Sequence, residues 1–247
     1  MSAERYVSEV RKLIDKLDST QMDNIKRAAE WITDSVARDD LVYIFGAGHS
    51  HILCYEVFAR AGGFPYWQPI LDQGLDFGAG ARRQGGFERL PGYAQYVIRD
   101  YDIQPDDVVI VISNSGRNPA PVEIALEAKE RGAKIIALTS MAHSSSVSAA
   151  NPAGKRLFEI SDLVLDNGCP AGDALVSLEG LPARVGPGST VLGALILNSI
   201  VSQVAQNLLD RGLEPPVWIS GNLEGGQDYN KRIVEPVEKK LGHVRHM

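Results

Sequence analysis

The chain has 247 residues, 44% of them hydrophobic, with 31 acidic side chains against 25 basic ones and a formal charge of −6 at pH 7. That length and apolar content suit a large α/β domain, and one globular unit is expected. The acidic balance, without clustered Lys and Arg to neutralise phosphates, excludes a nucleic-acid-binding surface, although a few backbone amides and hydroxyls still suffice for a small anion.

The opening "MSAERYVSEV" has no signal-peptide core, and no apolar stretch approaches the roughly 20 residues of a membrane helix, so the chain reads as cytoplasmic, without a membrane partner. Residues 4–18 and 21–38 carry apolar side chains at helical spacing (Val7, Val10, Leu13, Ile14, Leu17; then Ile25, Ala28, Ala29, Ile32, Val36), which predicts a helical hairpin joined at "DST". From Leu41 the pattern changes to short β-rich runs, "LVYIF", "PYWQPI", "VVIVIS", "KIIALTS" and "DLVLD", separated by helices; this alternation predicts a parallel sheet with crossover helices. The clearest crossover runs from Pro119 to Glu130, with Asn118 as its N-cap, Pro119 at the first helical position and Gly132 just past its end. Residues 71–92 and 167–188 are Gly- and Pro-rich and longer than ordinary connectors, as loops that cover a site or a subunit contact are. A long apolar helix then runs over residues 189–210, beginning at Ser189 or Thr190 and ending near Gly212. Cys54 and Cys169 lie far apart, one in an apolar helix and one in a loop, and indicate neither a disulfide framework nor a cysteine metal site.

Two stretches carry chemistry. "IFGAGHSHI", residues 44–52, turns from a strand into a helix through Gly46 and Gly48, but a dinucleotide site needs a third glycine where His51 stands and an acidic residue to hold the ribose. No nicotinamide or flavin cofactor is therefore expected. "VVIVISNSGRNPAPVE", residues 108–123, sets Ser113, Asn114, Ser115, Gly116 and Asn118 between a buried strand and a helix N-terminus, where free amides and the helix dipole favour an anion. Ordinary turn and capping chemistry explains the same residues equally well.

Taken together, Gly46, Gly48 and Ser50, then Ser113, Ser115 and Gly116, then Gly188, Ser189 and Thr190, resemble in that order the motifs of the sugar isomerase (SIS) domain family, in a single-domain form similar to phosphoheptose isomerase. Asn118 replaces the threonine that closes the family's phosphate loop, and its amide can still donate. The resemblance covers roughly residues 35–212 and implies a flavodoxin-like, doubly wound sheet of five parallel strands. Residues 1–38 would then be an N-terminal hairpin and 213–247 a C-terminal extension of one SIS domain. It also implies a sugar phosphate as ligand, a homodimer or higher homo-oligomer, and aldose–ketose isomerisation through an enediol. A sugar-phosphate sensor without turnover and a phosphosugar lyase or etherase are the alternatives.

An isomerase needs a proton acceptor beside the reacting carbon and a second group at the oxygens. On the helix after the glycine turn, His49 and Glu56 are seven residues apart and fall within about 20° of each other, so Glu56 is the candidate base and His49 its partner. A glutamate in a comparable position in phosphoheptose isomerase favours that assignment. A simple ion pair with Arg60, four residues on, is the competing role for Glu56. His49 and His51 could instead brace the turn; His51 and Glu56 lie about 140° apart, a poor arrangement for a shared metal, and none is expected. His143, Asp166, Asn167 and Asp173 follow strand ends on the edge where open α/β sheets place ligands, and His143 and Asp173 are further substrate candidates. "SGNLEGGQDYN", residues 220–230, is rich in hydroxyl-binding groups and suggests a segment folded over a neighbour, while His243 and His246 read as part of a solvated basic tail.

Overall fold

The computed structural model describes residues 1–238 and 240; His243 and His246 lie outside the described residues. In chain order the elements are α1 (Ser2–Ala37), β1 (Val42–Gly46), α2 (His49–Val57), β2 (Trp67–Pro69), α3 (Ala81–Glu88), α4 (Tyr93–Arg99), β3 (Val108–Ile112) and α5 (Pro119–Glu130). They continue with β4 (Lys134–Thr139), α6 (Met141–Ser144), α7 (Leu157–Ile160), β5 (Leu163–Asp166), β6 (Ala174–Val176), β7 (Val185–Pro187), α8 (Ser189–Asp210) and α9 (Gly226–Glu238).

Strands β1 to β5 form one parallel sheet in the order β2-β1-β3-β4-β5. This is the expected doubly wound, flavodoxin-like topology. Helices cover both faces, so the central strands are apolar throughout: Val108, Val109, Ile110 and Val111 of β3 are each 0% exposed, as are Ile135, Ile136 and Ala137 of β4. The chain leaves β1 in one direction to reach β2 and in the other to reach β3. Gly46 pairs with Ile112 at the carboxyl ends of these two strands, so the turns that follow them open onto one crevice at the switch point.

The N-terminal hairpin does not form. Residues 2–37 make one continuous helix, because no Gly or Pro interrupts them and the hydroxyls of Ser19 and Thr20 bond back to the carbonyl of Lys16 instead of releasing the backbone. The second half of α1 buries Ile25, Ala28, Ala29 and Ile32 and packs along α8. Contrary to the expectation from sequence, one segment, α8, is long and apolar enough by length and composition to span a membrane. Here it is a core helix, with Leu192, Ile196, Leu197, Ile200, Val204 and Leu208 buried between α1 and α2. Within the long loop 167–188, β6 and β7 pair as an antiparallel hairpin.

Segment 213–238 packs on its own chain. The backbone of Trp218 exchanges hydrogen bonds with Gly62 and Gly63 (2.8 Å each), beyond the C-terminal end of α2. The side-chain amide of Asn230 both accepts from and donates to the backbone of Ile219 (3.0 and 2.8 Å). The 220–230 stretch is thereby anchored away from the crevice of its own chain, and its Asn230 serves backbone contacts.

Candidate functional site

The crevice is built from two turns. The first follows β1. A Cβ at Gly46 would run into the backbone carbonyl of Ser50, and Gly48 holds φ +57° and ψ −127°, a conformation that only glycine adopts readily. Buried His51 accounts for the tightness: its Nδ1 lies 2.9 Å from the carbonyl of Gly46, so the ring donates to that oxygen and locks strand end to helix start. His51 is thus a brace.

The second turn, Ser113–Asn118, is held by its own polar groups. The Oγ of Ser113 accepts the Gly116 amide (3.1 Å), while Asn114 accepts at its carbonyl from the hydroxyl of Thr139 and at its side chain from Asn167 Nδ2 (3.1 and 2.7 Å). Ser144 donates to the carbonyl of Ser115, and the positive φ of Gly116 (+56°) turns the chain into α5. Asn118 stands at the N-cap position as expected, but its side chain does not cap: Nδ2 donates to Glu88 Oε1 at 2.7 Å.

Two adjoining cavities, of about 250 and 170 Å³, share Ala47, Ser50, Ile112, Asn114 and His143 in their walls and form one cleft. The smaller also has Ser113, Ser115 and Glu88. The larger is completed by His49, Asn167, Asp173, Ser189 and Thr190. Hydroxyls from the ends of β1 and β3 thus meet in one space.

His49 is exposed and meets the edge of Phe77 at 4.7 Å between ring centroids. His143, in α6, has its backbone amide tied to Ser140 Oγ (3.0 Å), and its buried Nδ1 has no hydrogen-bond partner among the described residues. Asp173 is fully engaged. Oδ1 accepts from the amides of Gly188 and Ser189 (3.2 and 2.8 Å) and Oδ2 from the Ser189 hydroxyl (2.7 Å), so this carboxylate, from outside the helix, supplies the anion that the N-terminus of α8 favours. Beside it, burial and the Asp173 charge push the Cys169 thiol up to about 12, which keeps it neutral and unreactive. Burial likewise raises Cys54.

The structure does not place Glu56 in the cleft. Its carboxylate pairs with Arg60 Nη1 and accepts from Asn198 Nδ2 of α8 at 3.0 Å. His49 and Glu56 do share a helix face, but seven residues of rise separate them by about 10 Å along the axis, carrying Glu56 two turns down from the cleft. Besides Asp173, the cleft contains the carboxylate of Glu88, from the long loop region 71–92, which sequence reasoning missed. A faint signal existed: Gln84 and Glu88 are four apart, on one side of a short helix. Gln84 Nε2 donates to Glu88 Oε2 (3.0 Å), and its amide packs against Gly48.

The family model described as SIS domain matches residues 5–140. A UPF0309 protein of Geobacillus kaustophilus is 39% identical over 237 residues, covering 96% of this chain and 94% of that protein. Among solved structures, a phosphoheptose isomerase from Francisella tularensis aligns with TM-score 0.57 at 15% identity, over 83% of this chain and 96% of that one. The NanR protein of Vibrio vulnificus complexed with ManNAc-6P aligns with TM-score 0.50 at 15% identity, over 96% of this chain and 69% of that one. At such identities the structural likenesses speak for the fold alone. With the family match spanning more than half of its residues, the chain belongs to the SIS-domain family.

Proposed function

We propose that the cleft binds a sugar phosphate and interconverts its aldose and ketose forms through an enediol. The observation that carries this reading is the meeting of Ser50 with Ser113 and Ser115 in one cavity wall at the switch point of the sheet. Their hydroxyls, the amide of Asn118 and the N-terminal end of α5 form the phosphoryl subsite. The larger cavity beside it takes the sugar, whose reacting carbons, several bonds from the phosphorus, reach the end lined by His49, Ser189 and Thr190.

In the reaction a base takes the proton from the carbon next to the carbonyl, the charge moves onto oxygen, and the proton returns at the neighbouring carbon. With Glu56 held by Arg60 and Asn198, and Asp173 committed to the start of α8, these steps fall to imidazole. His143, which lines both cavities, is the proton acceptor, and exposed His49 serves the oxygens. The same reading takes the protein as a homo-oligomer, for which Ile52 and Tyr55 of α2 and Val191 of α8 present exposed apolar side chains. Sedimentation showing a monomer at all concentrations would remove that part.

The likeness to a NanR protein complexed with ManNAc-6P supports a second reading, in which the cleft binds a sugar phosphate without turnover. Solvent deuterium separates the two. Pentose, hexose, heptose and N-acetylamino-sugar phosphates incubated with the protein in heavy water gain deuterium at the carbon next to the carbonyl if the protein is an isomerase; binding without incorporation identifies a sensor. Replacing His143 with Gln is expected to slow incorporation at least 100-fold, whereas Glu56→Gln leaves it within about 2-fold. The reverse pattern would restore Glu56 as the base.

A further inference from the structure

We infer that Glu88 is a resident competitor for the phosphoryl subsite: its carboxylate holds the Asn118 amide until a ligand phosphate displaces it, and that displacement releases α3 from the phosphate loop. The inference rests on the cleft's binding phosphate as proposed above. Three observations carry it. Glu88 lines the same cavity as Ser50, Ser113 and Ser115, so it stands beside the groups proposed to hold the phosphate. It occupies Asn118 Nδ2 at 2.7 Å, a side-chain donor at the helix start that would otherwise be available to an anion.

Third, its own hydrogen-bond partners carry no positive charge. The partners of Glu88 are the neutral amides of Asn118 and Gln84, and among the described residues it forms no salt bridge. Arg83 on the same helix lies over the ring of Phe87, 5.4 Å from its centroid, and Arg89 turns back to the carbonyl of Gly85 at 2.7 Å. Across the cavity the titratable group is His143, and on α5 Glu123 is occupied by the amide of Gly92 at 2.7 Å. A phosphate dianion entering this space therefore meets a like charge, and the two cannot share Asn118. The carboxylate must swing out. Because Glu88 ends α3, and because Gln84 of that helix covers Gly48 of the other turn, its departure loosens the cover over both turns at once. A phosphate-bearing ligand thus opens its own lid, which reports occupancy to the surface formed by residues 81–92.

Inorganic phosphate titrated calorimetrically into the full chain and into Glu88→Gln tests this. Glutamine keeps the shape and one accepting oxygen while removing the charge, so it is expected to bind phosphate at least 10-fold tighter, equivalent to about 1.4 kcal/mol. Glu88→Ala, which removes the Asn118 contact as well, should bind at least as tightly and guards against a local effect of the glutamine. In the wild-type chain, amide hydrogen exchange over 81–92 should quicken when phosphate is added. Equal or weaker binding by both variants, or exchange that slows, overturns the inference while leaving the binding function intact. If neither the wild type nor either variant binds phosphate, or if Ser113→Ala with Ser115→Ala leaves binding unchanged, the phosphoryl subsite itself is wrong and the inference falls with it.

Discussion

Asp107 sits just before β3, at the edge of the sheet opposite the cleft, and is 6% exposed. Burial pushes its carboxyl up to about 6, against the favourable effect of the hydrogen bond it accepts from the Gln104 amide (2.8 Å), and the charge of Asp40 adds to the rise. A carboxyl whose folded value lies above its ordinary value of 3.8 holds its proton more tightly in the folded state, so its contribution is favourable at low pH and is lost as pH climbs from about 4 to 6. Asp107→Asn should therefore gain stability relative to wild type across that interval, by about 1–2 kcal/mol after allowing for solvent screening. Urea unfolding at pH 4 and at pH 7 measures the difference; a gap that does not widen with pH would contradict the burial argument. Other single residues show where sequence reasoning stops. Ser50, Ser113 and Ser115 were legible because each follows a strand end and the resemblance to the SIS motifs implies that their turns meet. Glu56 was misplaced because angular position on a helix says nothing of depth, and depth decides which side chains reach a cleft. Glu88 was invisible because nothing in residues 71–92 shows which way a short helix there will face.

At the scale of elements, the turn joining β1 to α2 works because three groups fit together: Gly46 without a side chain, Gly48 at positive φ, and the His51 ring bonded back to Gly46. A methyl at Gly46 would collide with the Ser50 backbone, which belongs to the first turn of α2 and cannot rotate aside. Gly46→Ala should cost about 1–3 kcal/mol in denaturant unfolding and weaken phosphate binding by displacing Ser50. Unchanged stability would mean that the turn has slack. The crossover over α5 was readable from its Pro and Gly boundaries, while the joint assigned to α1 was not real. Ser and Thr are common at helix ends, yet inside an uninterrupted apolar period their hydroxyls can bond back along the same helix, as Ser19 and Thr20 do. Local composition marks where a helix is able to end; packing of the second half against α8 decides that it continues.

For the molecule as a whole, the cleft joins α2, α5 and α8 through the turns at their N-termini, so a ligand that bridges them ties together elements that are far apart in sequence. Any sugar phosphate present at 100 times its dissociation constant should stabilise the fold by about 2.7 kcal/mol. For a chain of this length, that corresponds to a rise in Tm of roughly 5–11 °C. Ser113→Ala combined with Ser115→Ala should abolish most of the rise without lowering the Tm of the unbound protein by more than a few degrees. A full thermal shift in the double variant would place the phosphate elsewhere. The same whole-molecule arrangement explains α8: hydropathy makes it a candidate membrane span, and only its burial between α1 and α2 identifies it as a core helix.

Sequence by itself determined the parallel sheet, the two anion-friendly turns and the absence of a dinucleotide fingerprint, because each depends on residues within one strand–turn–helix unit, where spacing translates directly into geometry. Tertiary structure alone decided where the carboxylates lie. Asp173 was drawn to the start of α8, Glu56 to Arg60 and Asn198, and Glu88 to Asn118, since a charged side chain settles where distant segments supply its partners, and those partners are not encoded in its local neighbourhood.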